Sequence, residues 1–597
     1  MPLVAILADS WFVLRTQGPV LLVVLAFVLA GSVVVAQSML PLLPAASGKY
    51  LIFPLALAGW GAPVFLFALL LFASALLLHL NPAIPAAALL AILVIASCIW
   101  AMRNRERLRL GVWPAFLPLL VLFGGFLFLR LGFIAGTPLP LYFDSAEHYR
   151  IIRNLLYDYL HLPAIAALEA PVQSYYHLGY HLMLALMAAV SRANLSQLML
   201  VCGVVALAAL PFPLYVIPFQ ETGSRLAGWF AVFLGAVGWY VPAYVLNWGK
   251  YPALFGFPLV LFTLDLAYLA HLAPRGGRVK RALSIWVLFA ACVALLVHTR
   301  SVILIGIALT SWQISGAWAT RPSLQRGLLV ALTLALLVGV LGLLARTGLL
   351  AIVLDPYVES GLGVSCMVAL LAVGAFWVFP RLALTAMLTV LFMCLSLMVR
   401  VPGFAATPLL DRPLVEMTLF APLSILAAIG IAAVTRLLKS AHPFMRVGIV
   451  VACLGVILQA AVGYSYSPSS CCNFVTADDT TALDWIQNHV GTTDRILIAM
   501  APARDAPPPY PPLVASSDAG VWILPLTGRQ TTALPYWSDF ASAATHSTLS
   551  VLGVQYIYVG GTPRSFNAGS LDQRPDWYQL ELALPASRVY AVSGYFP

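Results

Sequence analysis

Hydrophobic residues in this chain do not alternate with polar ones. They run on for about 18–25 positions, stop at a short polar stretch, and resume. Each run, wound as a helix, crosses a hydrocarbon core of roughly 30 Å. The runs predict spans at 18–40, 51–78, 84–101, 112–132, 196–218, 226–246, 256–272, 283–298, 301–319, 328–345, 364–379, 382–399, 413–434 and 447–464. The first spans are weakly anchored, by Arg15 and Lys49 alone, so the count is thirteen or fourteen. One further apolar stretch, 176–190, is short and carries Tyr175, Tyr176, His177, Tyr180 and His181 at one end. It reads as a helix lying on the outer membrane face, because counting it as a span would put the four basic residues of 274–281 outside.

The pattern changes near residue 466. TADDTTALDWIQNHV has the spacing of an amphipathic helix, with Leu483, Ile486 and Val490 on one face, and RILIAM and VQYIYVGG have strand length. The predicted fold class is therefore an all-α polytopic membrane protein with a small C-terminal α/β domain. The expected domains are an N-terminal transmembrane extension at 1–111, a transmembrane module at 112–464 with a large external loop at 133–195, and an extracytoplasmic domain at 465–597.

Composition agrees. Of 597 residues, 62% are hydrophobic and 9% charged, and the mean hydropathy of +0.94 lies outside the soluble range. The net charge of +10 is no sign of nucleic-acid binding. The arginines sit in short clusters between apolar runs, at 103–109, 274–281, Arg321 and Arg326, and Arg436 to Arg446, which are expected on the cytoplasmic side. The loops holding Lys250, His298–Arg300, Asp355–Glu359 and Asp411–Arg412 then face outward, as does everything after 465. Six cysteines lie singly in apolar runs, and adjacent Cys471 and Cys472 are either two thiols or a vicinal disulfide. The N-terminus does not have the pattern of a cleaved signal peptide.

Charge is scarce, so its concentration in LYFDSAEHYRIIRN is informative. Asp144-Ser-Ala-Glu147 fits a capping box for a helix over 145–160, with Asp144 as N-cap and Glu147 at the third helical position. A carboxylate held at a helix N-terminus stays ionised and can take a proton from an acceptor. Arg150 and Arg153, one turn on, have the donors to grip a phosphate, or serve as interfacial anchors. In SYYHLGYH, His177 and His181 fall on one helical face. Zinc would need a third ligand there, and interfacial anchoring or sugar stacking on Tyr175 or Tyr176 competes with it. Lys250, Arg300 and Arg412 share the outer side, where each is either a snorkelling anchor or a cation that pairs with a lipid phosphate. Asp265, deep in an apolar run, is costly without a partner.

An acidic motif in the first large external loop, an Arg-bearing helix after it, and an aromatic helix on the membrane resemble the GT-C class of membrane glycosyltransferases. Protein O-mannosyltransferases, oligosaccharyltransferases and the aminoarabinose transferases of lipid A belong to that class. FDSAEHYRIIRNLL is similar to the class's Asp-containing loop motif. YYHLGYHLMLALMAAVSR stands in the place of the external juxtamembrane helix, and DRPLVEMTLFAPLSILAA is similar to a late transmembrane helix. ALDWIQNH, DAGVWILPLTGRQT and VQYIYVGG are similar to the external domain of many bacterial members. The resemblance covers about 112–597. It implies a bacterial plasma-membrane enzyme that takes a sugar from a polyprenyl-phosphate donor and passes it, with inversion, to a glycan, lipid or protein acceptor.

Asp144 then becomes the base, with Glu147 as helper or metal ligand. Arg150, Arg153, Lys250, Arg300 and Arg412 become donor-phosphate candidates, and His148, Tyr175, Tyr176, His177 and His181 acceptor or sugar contacts. The motif is not the Asp-x-Asp or Glu-x-Asp form that signals a metal, so a divalent ion (Mg or Mn) is not favoured, and no other cofactor is called for. The tail lacks the WWD-type motif of oligosaccharyltransferases, which argues against Asn-glycan transfer. Two other readings remain: a polymerase or ligase of lipid-linked glycans, and a lipid transporter or flippase. Against the last, the acidic cluster lies at the surface and no internal repeat shows.

Overall fold

The computed structural model describes residues 3–44, 47–78, 113–158, 177–400, 408–438, 443–502 and 514–593, apart from 322, 347, 349–352, 354, 359, 360, 465 and 470, together with isolated positions in 88–102. The expected span at 84–101 and the basic cluster at 103–109 fall largely outside these residues, as do Tyr175 and Tyr176.

Among the described residues, the chain before 464 is mostly helical. In order, the helices are α1 (Leu3–Met39), α2 (Gly48–Gly59), α3 (Gly61–Leu78), α4 (Trp113–Leu131), α5 (Tyr142–Asp158), α6 (Gly179–Ser191), α7 (Leu195–Ala209), α8 (Val216–Thr222), α9 (Arg225–Phe233) and α10 (Val241–Asn247). There follow α11 (Tyr251–Leu272), α12 (Arg278–Val297), α13 (Ser301–Ala319), α14 (Ser323–Arg346), α15 (Leu362–Val378), α16 (Pro380–Ser396), α17 (Arg412–Thr418), α18 (Phe420–Leu437) and α19 (Pro443–Gly463). Backbone polar groups in hydrocarbon must be satisfied within their own segment, which leaves helices as the way such apolar runs cross.

Among the described residues, nine helices are long and apolar enough to span a membrane. A tenth candidate is the pair Arg225–Gly238 and Val241–Asn247, a broken span or a re-entrant loop, bent by 45° just after the π turn at Leu234–Gly238. The runs at 328–345, 364–379 and 382–399 are helical too, though their described apolar stretches are only 10–17 residues long. The lipid-facing sides stay apolar: Ile285 and Leu288 on α12, Trp377 on α15 and Val462 on α19 are all exposed. This is an integral membrane protein.

Two expected details change. α1 starts at Leu3, so the first helix is about 55 Å long and overshoots the bilayer. Its early turns stay beside the start of the large loop, where the Ser10 hydroxyl accepts from the Gly132 N–H at 3.1 Å. The second concerns α6, expected on the membrane surface. Its residues from Gly179 to Ala189 are all buried. Gly179 lies against the backbone of Leu296 and Val297, so close that a Cβ would meet the Leu296 oxygen at 2.6 Å. The helix is too short to cross, at about 20 Å, and its far end leads directly into α7, whose Gln197 and Leu200 line the same hollow as Thr137 and Thr476. Both ends of α6 therefore lie at the tail-domain end of the bundle, and neighbouring helices cover it. Inside α11, Asp265 is buried, and its Oδ2 has no hydrogen-bond partner among the described residues.

The tail is α/β as expected. α20 (Ala477–His489) carries a complete capping box between Thr476 and Asp479. It precedes strands β1 (Arg495–Pro502), β2 (Val514–Ser516), β3 (Gln530–Pro535), β4 (Tyr556–Val559), β5 (Tyr578–Ala583) and β6 (Arg588–Val592). The sheet runs β2-β1-β4-β6-β5, with β3 also parallel to β1. One sheet face packs on α20 and on the segment 519–527, and through them reaches Leu139 and Ala146 of the membrane domain. Cys471 and Cys472 form a vicinal disulfide in the connection.

Candidate functional site

The site is assembled at the bundle end that carries the tail domain. Its first wall is α5. The helix begins at Tyr142, three residues earlier than the capping motif predicts. Tyr142 has a φ of +66°, its ring packs on Phe474, and its N–H donates to the Cys472 carbonyl at 2.9 Å. Asp144 consequently sits inside the first turn instead of capping it. Its carboxylate accepts a charge-assisted hydrogen bond from the Lys250 ammonium. Glu147 reaches forward, not back, taking a forked pair from Arg150 at 2.9 and 2.7 Å. The expected capping box is thus not formed, because both carboxylates are engaged by cations.

Lys250 is delivered by a tight turn after α10. Gly249 has a φ of +62°, and a Cβ there would lie 2.4 Å from the Ser145 hydroxyl. Only a glycine lets the turn come so close to α5. Asn247, fully buried, anchors the turn by accepting from the Ser469 N–H at 2.8 Å.

Four histidines lie behind the ion pair. His148 Nδ1 and His181 Nε2 are 3.1 Å apart, and the His177 and His298 rings meet at 4.9 Å. His177 precedes α6, so it does not share a helical face with His181 as its spacing predicts. Its carbonyl instead lies 3.2 Å from His181 Nδ1, and its ring reaches Thr299. Burial holds all four imidazoles toward the neutral form, with neighbouring cations and histidines adding to it. His148 and His298 lie well below the usual range, His177 is brought down to about 4 by burial and Arg300, and His181 to about 3 by burial and His177. Among the described residues no group of three His, Cys, Asp or Glu side chains is arranged to hold a metal ion.

The opposite wall is the start of α17. Asp411 caps it, accepting from the Leu414 N–H at 3.2 Å, and also pairs with Arg300. Arg412 pairs with buried Glu416 at 2.5 Å. The two walls sense each other. Burial raises the Asp144 carboxyl above its ordinary range, Lys250 opposes that shift, and Asp411 adds to it.

Asp144, Glu147, His148, Arg150, His177, His181, Lys250 and Arg300 are therefore gathered around one region, with Arg412 at its rim. Arg153 is not among them. It turns into the tail domain and donates to the Pro525 carbonyl. His298 and Asp411 belong to the cluster and were passed over as site residues. Each lies one or two positions from an arginine that the sequence did mark, in HTRS and LLDRP.

A cavity of about 1130 Å³ runs along α14, α15, α16 and α18, almost wholly apolar, and reaches Trp239 and Tyr357. The Tyr357 hydroxyl donates to the Glu416 carbonyl at 2.7 Å, which joins this cavity to the charged rim.

No protein-family model and no curated protein matches the chain. Among solved structures, it is similar to an arabinofuranosyltransferase AftD from Mycobacteria, at 15% identity and a TM-score of 0.36. The match covers 80% of this chain and 40% of the mycobacterial one, and at that distance it transfers neither fold detail nor activity.

Proposed function

We propose that this chain is a GT-C-type membrane glycosyltransferase that moves a sugar from a polyprenyl-phosphate donor to an acceptor at the extracytoplasmic end of the bundle. One observation carries the reading. A half-buried carboxylate with a raised proton affinity stands among cations, and an apolar cavity large enough for part of a lipid chain reaches toward them at Tyr357. A base needs that affinity, and a departing phosphate needs those cations.

In this reading the lipid lies in the cavity beside Tyr357, with its phosphate toward Lys250, Arg300 and Arg412. Each of these cations is neutralised by Asp144, Asp411 or Glu416 while the site stands alone. A donor phosphate that takes over Lys250 releases Asp144. The freed carboxylate removes the proton from the acceptor hydroxyl as its oxygen bonds to the anomeric carbon. The bond from that carbon to the phosphate oxygen breaks with its electron pair, and the polyprenyl phosphate leaves. The configuration inverts in a single displacement. Neutral His148 and His181 supply hydrogen-bonding edges without adding charge, and the tail domain covers α5 and bears on acceptor choice.

The test is Asp144→Asn, expressed in membranes and assayed with a panel of labelled polyprenyl-phosphate sugars. Transfer is expected to fall by about 10²–10⁴-fold. Wild-type turnover in this variant at equal expression removes Asp144 from the chemistry.

A further inference from the structure

A second cavity, of about 260 Å³, lies between α11, α13, α16 and α18. Its walls are mostly apolar, the hydroxyls of Thr385, Thr389 and Thr418 being bonded to their own helix backbone, and at the end away from the Asp144 cluster Tyr268, His271, Trp312 and Gln313 form the rim. The Arg381 guanidinium stacks on the Trp312 ring at 3.9 Å. It lies against Gly316, where a Cβ would meet it at 3.1 Å, so a side chain at that position would crowd it. Arg381 Nε is buried and has no hydrogen-bond partner among the described residues. A buried donor of this kind is costly unless a ligand satisfies it. The nearby Glu221 carboxylate is engaged by the Tyr268 hydroxyl at 2.5 Å. Arg275 of the following loop and Lys280 in the first turn of α12 lie, with Arg381, within electrostatic reach of His271. The rim is therefore cationic and the interior suits hydrocarbon.

We propose that this cavity holds one chain of a phosphate-bearing lipid whose headgroup rests against Arg381, at the bundle end opposite the candidate catalytic cluster. A stacked guanidinium keeps its N–H edge for an oxyanion, and a phosphodiester presents one at the depth where a membrane helix ends. The site is separate from the transferase reading and stands without it.

The full-length protein in neutral detergent, examined by native mass spectrometry with added dioleoyl phosphatidylglycerol or the phosphate-free dioleoylglycerol, tests this. Phosphatidylglycerol should be retained preferentially. Arg381→Gln should weaken its retention about tenfold, the worth of one charge-assisted hydrogen bond. Ala308→Phe, which fills the cavity and leaves the guanidinium in place, should weaken it as well. The proposal is overturned by equal retention of both lipids, by undiminished retention in Ala308→Phe, or by displacement of the lipid by inorganic phosphate, which would mark a free-anion site. Should Arg381→Gln not fold, the cavity-filling variant and the phosphate competition still decide.

Discussion

Lys250 closes on Asp144 although 106 residues separate them in the chain. The contact joins the first turn of α5 to the turn that begins α11, and both sides are pinned by one segment of the connection to the tail. Ser469 binds Asn247 on the lysine side, and Cys472 binds Tyr142 on the aspartate side.

The pair sets a pH dependence. A base works only when deprotonated, so activity should rise with pH through the Asp144 pKa, which burial places above the ordinary carboxylate value. Lys250 pulls that pKa down. Lys250→Met should therefore move the acid limb of the rate profile to higher pH and also raise the apparent KM for a phosphate-bearing donor. An unmoved acid limb would show that Asp144 does not titrate in the reaction.

Gly249→Ala should damage the site without touching a charge. The substitution combines a left-handed φ with a clash against Ser145, a cost of about 1–3 kcal/mol. The expected outcome is a lower melting temperature and a loss of transfer greater than that of a surface Gly→Ala change, for instance at Gly553.

Trp522 should act as the rivet between the tail and α5. It is buried, its ring meets Tyr149 at 5.5 Å, and Arg153 donates to Pro525 beside it. Trp522→Ala should cost about 3–5 kcal/mol and open the connection near 466–476 to limited proteolysis. A digestion pattern like that of the wild type would mean the tail is held elsewhere.

Asp518 gives the tail a pH-dependent stability of its own. It is buried, accepts from Ser565 and Gly520, and burial brings its carboxyl up to about 7. The folded state thus holds a proton that the unfolded chain gives up from near pH 4 upward. The contribution is present at low pH and is lost as pH rises from about 4 to 7, by about 1.4 kcal/mol per unit at most. Asp518→Asn should flatten that dependence in thermal unfolding followed at pH 5 and pH 8.

Much of this was legible in the residues themselves. Hydrophobic runs of bilayer length can do little but form helices, because lipid offers the backbone no hydrogen bonds. The tail announced itself by a change of period, and the spacing of Leu483 and Ile486 marked its first helix correctly. Scarcity of charge pointed to 142–153 and to the cations at 250, 300 and 412. The same local signals misled where distant groups competed for them. Asp144 and Glu147 have the spacing of a capping box, yet Lys250 and Arg150 outbid the backbone amides. The spacing of His177 and His181 implied a shared face that the late start of α6 at Gly179 removed. Arg153 matched Arg150 in sequence but met a carbonyl of another domain. What a residue is made of, and the period it repeats with, fixed the kind of element it joins. Which charges meet was decided by turns at Gly249 and Asp411 and by the docking of the tail, since pairing across a hundred residues depends on where helices end in space.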